Sequence, residues 1–150
     1  MERREFVTAF GALAAATTVS QALAAGADKA ENPHAHHMAH GAKYKAVLET
    51  SSKCVSTGYE CLRHCFDMLS MKDTSMADCT KATYDLIAAC ASLASLAGTN
   101  SAFTPAFAKT VAEVCLACKK ECDKFPQYVE CKICGDACQA CADECRKISA

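Results

Sequence analysis

The sequence predicts an all-α protein: an antiparallel up-down-up-down four-helix bundle with a mobile N-terminal leader. Three observations carry this prediction. Four runs of residues recur at alternating steps of three and four, which is the seam of packed helices. No stretch alternates with period two, so no strands are expected. Gly, Pro, Asn and Ser punctuate the gaps between runs, and connections that short force antiparallel neighbours.

The first run is Tyr44, Val47, Ser51, Cys54, Gly58, Cys61, Cys65 and Met68, on a helix expected from about Lys43 to Ser70. Lys45, Glu49, Lys53, Glu60, Arg63 and Asp67 fall off its seam, as a solvated face requires. Asp73-Thr74-Ser75 marks a turn, and Ser75-x-x-Asp78 is a capping-box pattern for the second helix. Its seam is Met76, Cys79, Thr83, Leu86, Cys90, Leu93 and Ala97, ending before Gly98, Asn100 and Ser101. Thr104 as cap and Pro105 as first residue open the third helix, with Ala108, Val111, Cys115, Cys118, Cys122 and Phe125 inward. Pro126 stops it and is expected at the first position of the fourth, whose seam is Gln127, Cys131, Cys134, Cys138, Cys141, Cys145 and Ile148. All 13 cysteines lie on a seam, and Ile87, Leu96, Phe125 and Tyr128 offer apolar packing beside it.

Residues 1–24 have the features of a twin-arginine signal peptide: Arg3-Arg4-x-Phe6-Val7, a mildly apolar stretch, and the small-x-small site Ala22-Leu23-Ala24. An exported, thiol-rich chain gains from folding in the reducing cytosol before oxidants can cross-link it, and a periplasmic or associated location follows. Residues 25–42 form a flexible His-rich leader, with Asn32-Pro33-His34-Ala35-His36-His37-Met38-Ala39-His40 able to collect metal or to serve only as a solvated linker. Residues 43–150 form the bundle. A net charge of -1 from 16 basic and 17 acidic residues points to neither nucleic acid nor an anionic membrane surface.

Three chemistries compete for the sulfurs. Disulfides suit an exported protein, but 13 is odd, and neighbours three or four apart on one helix would be bridged only under strain. Thiol redox catalysis is suggested by Cys115-x-x-Cys118, Cys131-x-x-Cys134 and Cys138-x-x-Cys141, yet reactive pairs stand at helix N-termini, not within helix interiors. Metal binding is favoured. Thiolates at i and i+4 clamp a soft ion between turns, as at Cys61 and Cys65, Cys118 and Cys122, Cys134 and Cys138, or Cys141 and Cys145.

Charge selects the ion. One thiolate per Cu(I) is neutral, and bridging thiolates spare a dry core any surplus charge, so a chain of ions approaching about one per cysteine is expected. Zn(II) prefers four ligands and would fill far fewer sites. Iron-sulfur clusters want four local cysteines in a loop, a pattern not found here. His64, Met68 and Met71 share one face near the end of the first helix, and Met76 opens the second, a soft-ligand entrance beside Cys65, Cys79, Cys122 and Cys131.

These features resemble the bacterial copper storage proteins, specifically exported members with a twin-arginine leader. The resemblance rests on the inward Cys-x-x-x-Cys and Cys-x-x-Cys repeats, Cys61-Leu62-Arg63-His64-Cys65, and the His64, Met68, Met71, Met76 entrance. It implies homotetramers of bundles, each holding many Cu(I) ions without turnover. It further implies supply to copper enzymes such as the membrane methane monooxygenase of methane-oxidising bacteria. The alternatives are a copper-detoxifying buffer, which does not return its cargo, and a thiol oxidoreductase.

Overall fold

A computed structural model describes residues 41–149. The expected signal peptide and all but the last two residues of the leader lie outside the described residues. Four helices follow: α1 (Lys45–Ser70), α2 (Ala77–Gly98), α3 (Thr104–Cys122) and α4 (Val129–Ile148). Helix α1 packs on α2 and α4, and α3 packs on the same two, so side chains from all four meet along one axis. Across each neighbouring pair, residue numbers rise on one helix as they fall on the other. Lys43 N–H donates to Asn100 Oδ1 at 2.8 Å, and further along the same pair Gly58 meets Ile87. Sulfur contacts of Cys79 with Cys122 and Cys90 with Cys115 register α2 on α3, and Cys61 with Cys131 registers α1 on α4.

The axis has two unlike halves. Tyr44, Val47, Leu93, Ala97, Ala108 and Val111 close one end with apolar side chains, and cysteines fill the rest. All 13 cysteines are at most 2% exposed. A buried thiol behaves as a small hydrophobe, so the cysteine half has few large side chains to hold it together. Surface ion pairs do not compensate. Apart from Arg63 with Glu130, they are i,i+3 or i,i+4 pairs at the surface, where solvent screening leaves each worth little.

Helix ends depart from the sequence expectation in three places. Ser75 does not cap α2: the N-cap is Met76, without a side-chain cap bond, and the Ser75 N–H is instead bound by Asp73 Oδ1 at 2.9 Å. Met76 is fully buried, and burying it is worth about 1.5–3 kcal/mol against about 1 for a cap bond. Thr104 is the first residue of α3, not its cap, and its hydroxyl turns back to donate to Ser101 O at 2.8 Å. Pro126 does not start α4. It lies in a turn closed by Phe125 N–H to Cys122 O and Tyr128 N–H to Phe125 O, which leaves Gln127 exposed and off the seam. Extended Tyr128 is the N-cap of α4, and its ring packs on His64 with centroids 4.5 Å apart.

Two helices end in Schellman motifs without glycine. After α1, Asp73 N–H reaches Met68 O and Lys72 N–H reaches Leu69 O; after α2, Ser101 N–H reaches Leu96 O and Asn100 N–H reaches Ala97 O. The left-handed residues are Lys72, at φ 65°, and Asn100, at φ 53°. Asparagine tolerates that region, whereas lysine does not. Thermal unfolding should therefore show Lys72→Gly more stable than the parent by about 1 kcal/mol.

Gly58 lets α1 and α2 close together. A Cβ there would lie 2.8 Å from Ile87 Cγ1, in the middle of a stiff β-branched side chain. Gly58→Ala is expected to cost about 1–3 kcal/mol despite its better helix propensity. In chemical denaturation the Gly58→Ala, Ile87→Ala double variant should lose less than the two single losses added.

Candidate metal centre

The seams gather sulfurs from different helices into three close groups. Cys54, Cys90, Cys115 and Cys141, one from each helix, have their sulfurs all within 4.8 Å of one another. The same limit holds for Cys61, Cys79 and Cys122, and for Cys118, Cys134 and Cys138. The remaining three adjoin these groups. Cys131 Sγ is 3.9 Å from Cys61 Sγ, Cys145 Sγ is 3.9 Å from Cys141 Sγ, and Cys65 is raised by neighbouring Cys61 and Cys79. The result is a continuous column of soft donors.

The Cys-x-x-Cys motifs do not form local dithiols. Cys115 belongs to the four-sulfur group and Cys118 to another; Cys138 and Cys141 divide in the same way. Cys131 leans on Cys61 while Cys134 joins Cys118 and Cys138. Three residues of rise along a helix are about 4.5 Å, enough to send each sulfur to its own level. Every cysteine is free and buried.

Ser51, Thr57, Thr83 and Thr104 are the only buried polar side chains other than cysteine among the described residues, and no cation accompanies the sulfurs. Most of the shifted thiols therefore hold their protons more tightly than a free thiol, whereas Cys54, Cys61, Cys79, Cys118 and Cys141 are lowered by neighbouring sulfurs, Cys115 or Cys122 first. Cys122 is raised well above the usual thiol range, first by neighbouring Cys118, then by Cys131, Cys134 and Cys61, with burial adding to it. Cys115 is raised chiefly through Cys141, Cys138 through Cys118, Cys65 through Cys61, and Cys145 through Cys141. In each case a thiolate would stand beside other sulfurs in a dry medium. Protons are thus the counterions of the metal-free sulfurs, and a soft monovalent ion can replace them without surplus charge.

The expected entrance residues fall at graded depths. Met71 is 66% exposed, Met68 and His64 are half-buried, and Met76 is 0% exposed. His64 Nε2 is buried with no hydrogen-bond partner, next in sequence to Cys65. The three methionine thioethers carry no charge, so they cannot neutralise a thiolate.

The raised thiols fix a pH response of the empty protein. A group whose folded pKa lies above its unfolded value stabilises fully below the unfolded value, here 9.0, and that contribution is lost as pH rises further. Anaerobic thermal melts of the reduced, metal-free protein should therefore show a falling Tm above about pH 9. A flat profile to pH 10.5 would mean the folded thiols ionise freely.

A family model described as copper storage protein matches residues 40–150. Among solved structures, a Cu(I)-bound copper storage protein, BsCsp3, is 27% identical with a TM-score of 0.65, covering 72% of this chain and 100% of its own. The apo form of copper storage protein 3 from Bacillus subtilis is 25% identical with a TM-score of 0.63, covering 71% of this chain and 98% of its own. No curated protein sequence matches.

Proposed function

The chain belongs to the copper storage protein family, and from that premise we propose that it reversibly holds many Cu(I) ions on its core thiolates for later supply to copper enzymes. The observation that carries this is the column of 13 buried sulfurs with no cation beside it. Each Cu(I) displaces about one proton, thiolates bridge neighbouring ions, and the core stays neutral. We assign all 13 cysteines as ligands. Ions are taken up at the end that holds Met71, Met68, His64 and Met76, in order of increasing depth. The opposite end is closed by Val47, Leu93, Ala97 and Val111, which offer no donor.

Storage without turnover accounts for the split Cys-x-x-Cys motifs better than thiol redox catalysis does, since no vicinal pair is presented to a substrate. A detoxifying buffer differs only in whether the ions come back out. Export by the twin-arginine route to the periplasm is supported by Arg3-Arg4-x-Phe6-Val7. Assembly into a homotetramer is supported by the family resemblance and by exposed Tyr59 and Phe66 on α1 and Tyr84 on α2. The recipient, on the resemblance, is a copper enzyme such as membrane methane monooxygenase.

Anaerobic titration of the reduced protein with Cu(I) should saturate at a ratio approaching about one ion per cysteine, and Tm should rise on loading. Saturation after one or two ions, together with disulfide-exchange activity, would overturn the storage function. Replacing Met68, Met71 and Met76 together by leucine is expected to slow uptake while leaving capacity unchanged. Unchanged uptake rates would remove the entrance from the assignment.

A further inference from the structure

Thr83 occupies a seam position of α2 between Cys79 and Cys90, where the sulfur column passes from one group to the next. Its hydroxyl behaves unlike the other three buried hydroxyls. Ser51 donates to Val47 O at 2.7 Å, Thr57 to Lys53 O at 3.0 Å and Thr104 to Ser101 O at 2.8 Å. Thr83 makes no bond to main chain and touches sulfur alone: Cys118 Sγ at 3.7 Å, and Cys61 Sγ and Cys79 Sγ at 3.9 Å each. Cys61 and Cys79 belong to the group with Cys122, and Cys118 belongs to the next, with Cys134 and Cys138. One oxygen thus spans two groups.

At this level the column is one-sided. Helix α2 offers Thr83 and Leu86, and α1 offers Gly58, while only α3 and α4 supply sulfur, through Cys118, Cys134 and Cys138. An ion bound for the four-sulfur group beyond must cross this waist by ligand exchange. In the loaded column, where Cys118 is already a thiolate, a new Cu(I)–S bond forms to it as the bond to Cys61 or Cys79 breaks, and copper stays Cu(I) throughout. The sulfur just released carries a negative charge in a core without cationic side chains, so the crossing is the costliest moment of the transfer. A hydroxyl is too hard an oxygen to retain the ion, but it is the one donor placed to reach both the sulfur that releases and the sulfur that receives.

We infer that Thr83 is a positioning residue for copper transfer along the core, its hydroxyl donating to whichever of Cys61, Cys79 and Cys118 is momentarily without metal. The inference rests on the storage function proposed above. It divides the store into an outer pool near the methionine end, which exchanges quickly, and an inner pool that exchanges through the waist. The proton stays on the Thr83 oxygen, and only the direction of its hydrogen bond changes.

The test is anaerobic stopped-flow removal of Cu(I) from the fully loaded protein by a coloured Cu(I) chelator, bathocuproine disulfonate, in parent, Thr83→Val and Thr83→Ser. Valine keeps the shape and removes the donor; serine keeps the donor. The parent is expected to release in a fast and a slow phase. Thr83→Val should slow the slow phase roughly tenfold or more, as loss of a hydrogen bond to a charged group implies, with the fast phase and total copper unchanged. Thr83→Ser should restore the parent rate, which a purely space-filling role would not require. If Thr83→Val does not fold, Thr83→Ala carries the same expectation. Equal slow phases in parent and Thr83→Val, or a single phase in the parent, would overturn the inference while full loading left the storage function standing. A parent that takes up only one or two ions would instead bring down the storage function itself.

Discussion

The structure depends on one constraint: the sulfurs are buried together and no positive side chain is buried with them. Each thiolate would be an uncompensated charge in a medium of low polarity, so each sulfur must keep a proton, accept a hydrogen bond from a neighbouring thiol, or bind a cation. The protein therefore has two self-consistent states, one filled with protons and one filled with metal. Divalent ions meet the same requirement less well, since four thiolates around one ion leave surplus negative charge inside the bundle. The choice of a soft monovalent ion follows from charge balance at least as much as from the affinity of sulfur for copper.

That constraint also explains how the helices divide their work. The apolar end, with Tyr44, Val47, Leu93 and Val111, supplies ordinary hydrophobic stabilisation and registers the four helices on one another. The cysteine half contributes donors and little bulk, and its stability is completed by cargo. Between them, Gly58 draws α1 against Ile87, and α2 supplies Leu86 and Thr83 in place of sulfur. Capacity is thus set by the number of thiols, whereas the rate of movement along the axis is set by the few positions where thiols are missing.

Much of this was legible before any coordinates. The three-four spacing placed every cysteine inward, and inward they are, because a helix of fixed pitch turns sequence spacing into a face. Tyr44, Val47, Ser51, Met76 and Ala97 were likewise placed on the seam and are buried. The ends of helices were less legible. Ser75 and Thr104 are good caps by residue type, yet burial of Met76 and the back-bond of Thr104 to Ser101 decided otherwise, through contacts that local sequence does not contain. Pro126 is a permissible first helical residue, but the packing of Tyr128 on His64 holds the chain extended beyond it. Thr83 was visible as a seam residue. Its orientation toward three sulfurs was not, since a helical threonine ordinarily bonds its own backbone.

The sequence by itself determined the helical fold, the inward thiols and, through charge balance, the kind of ion they suit. Those conclusions need only the pitch of a helix and the charge of a sulfur, both local properties. Tertiary structure alone decided which sulfurs share a group, how each Cys-x-x-Cys motif is split between levels, and where a hydroxyl interrupts the column. Such groupings depend on the register of one helix against another, and register is set by contacts between residues far apart in the chain, such as Cys61 with Cys131 and Lys43 with Asn100.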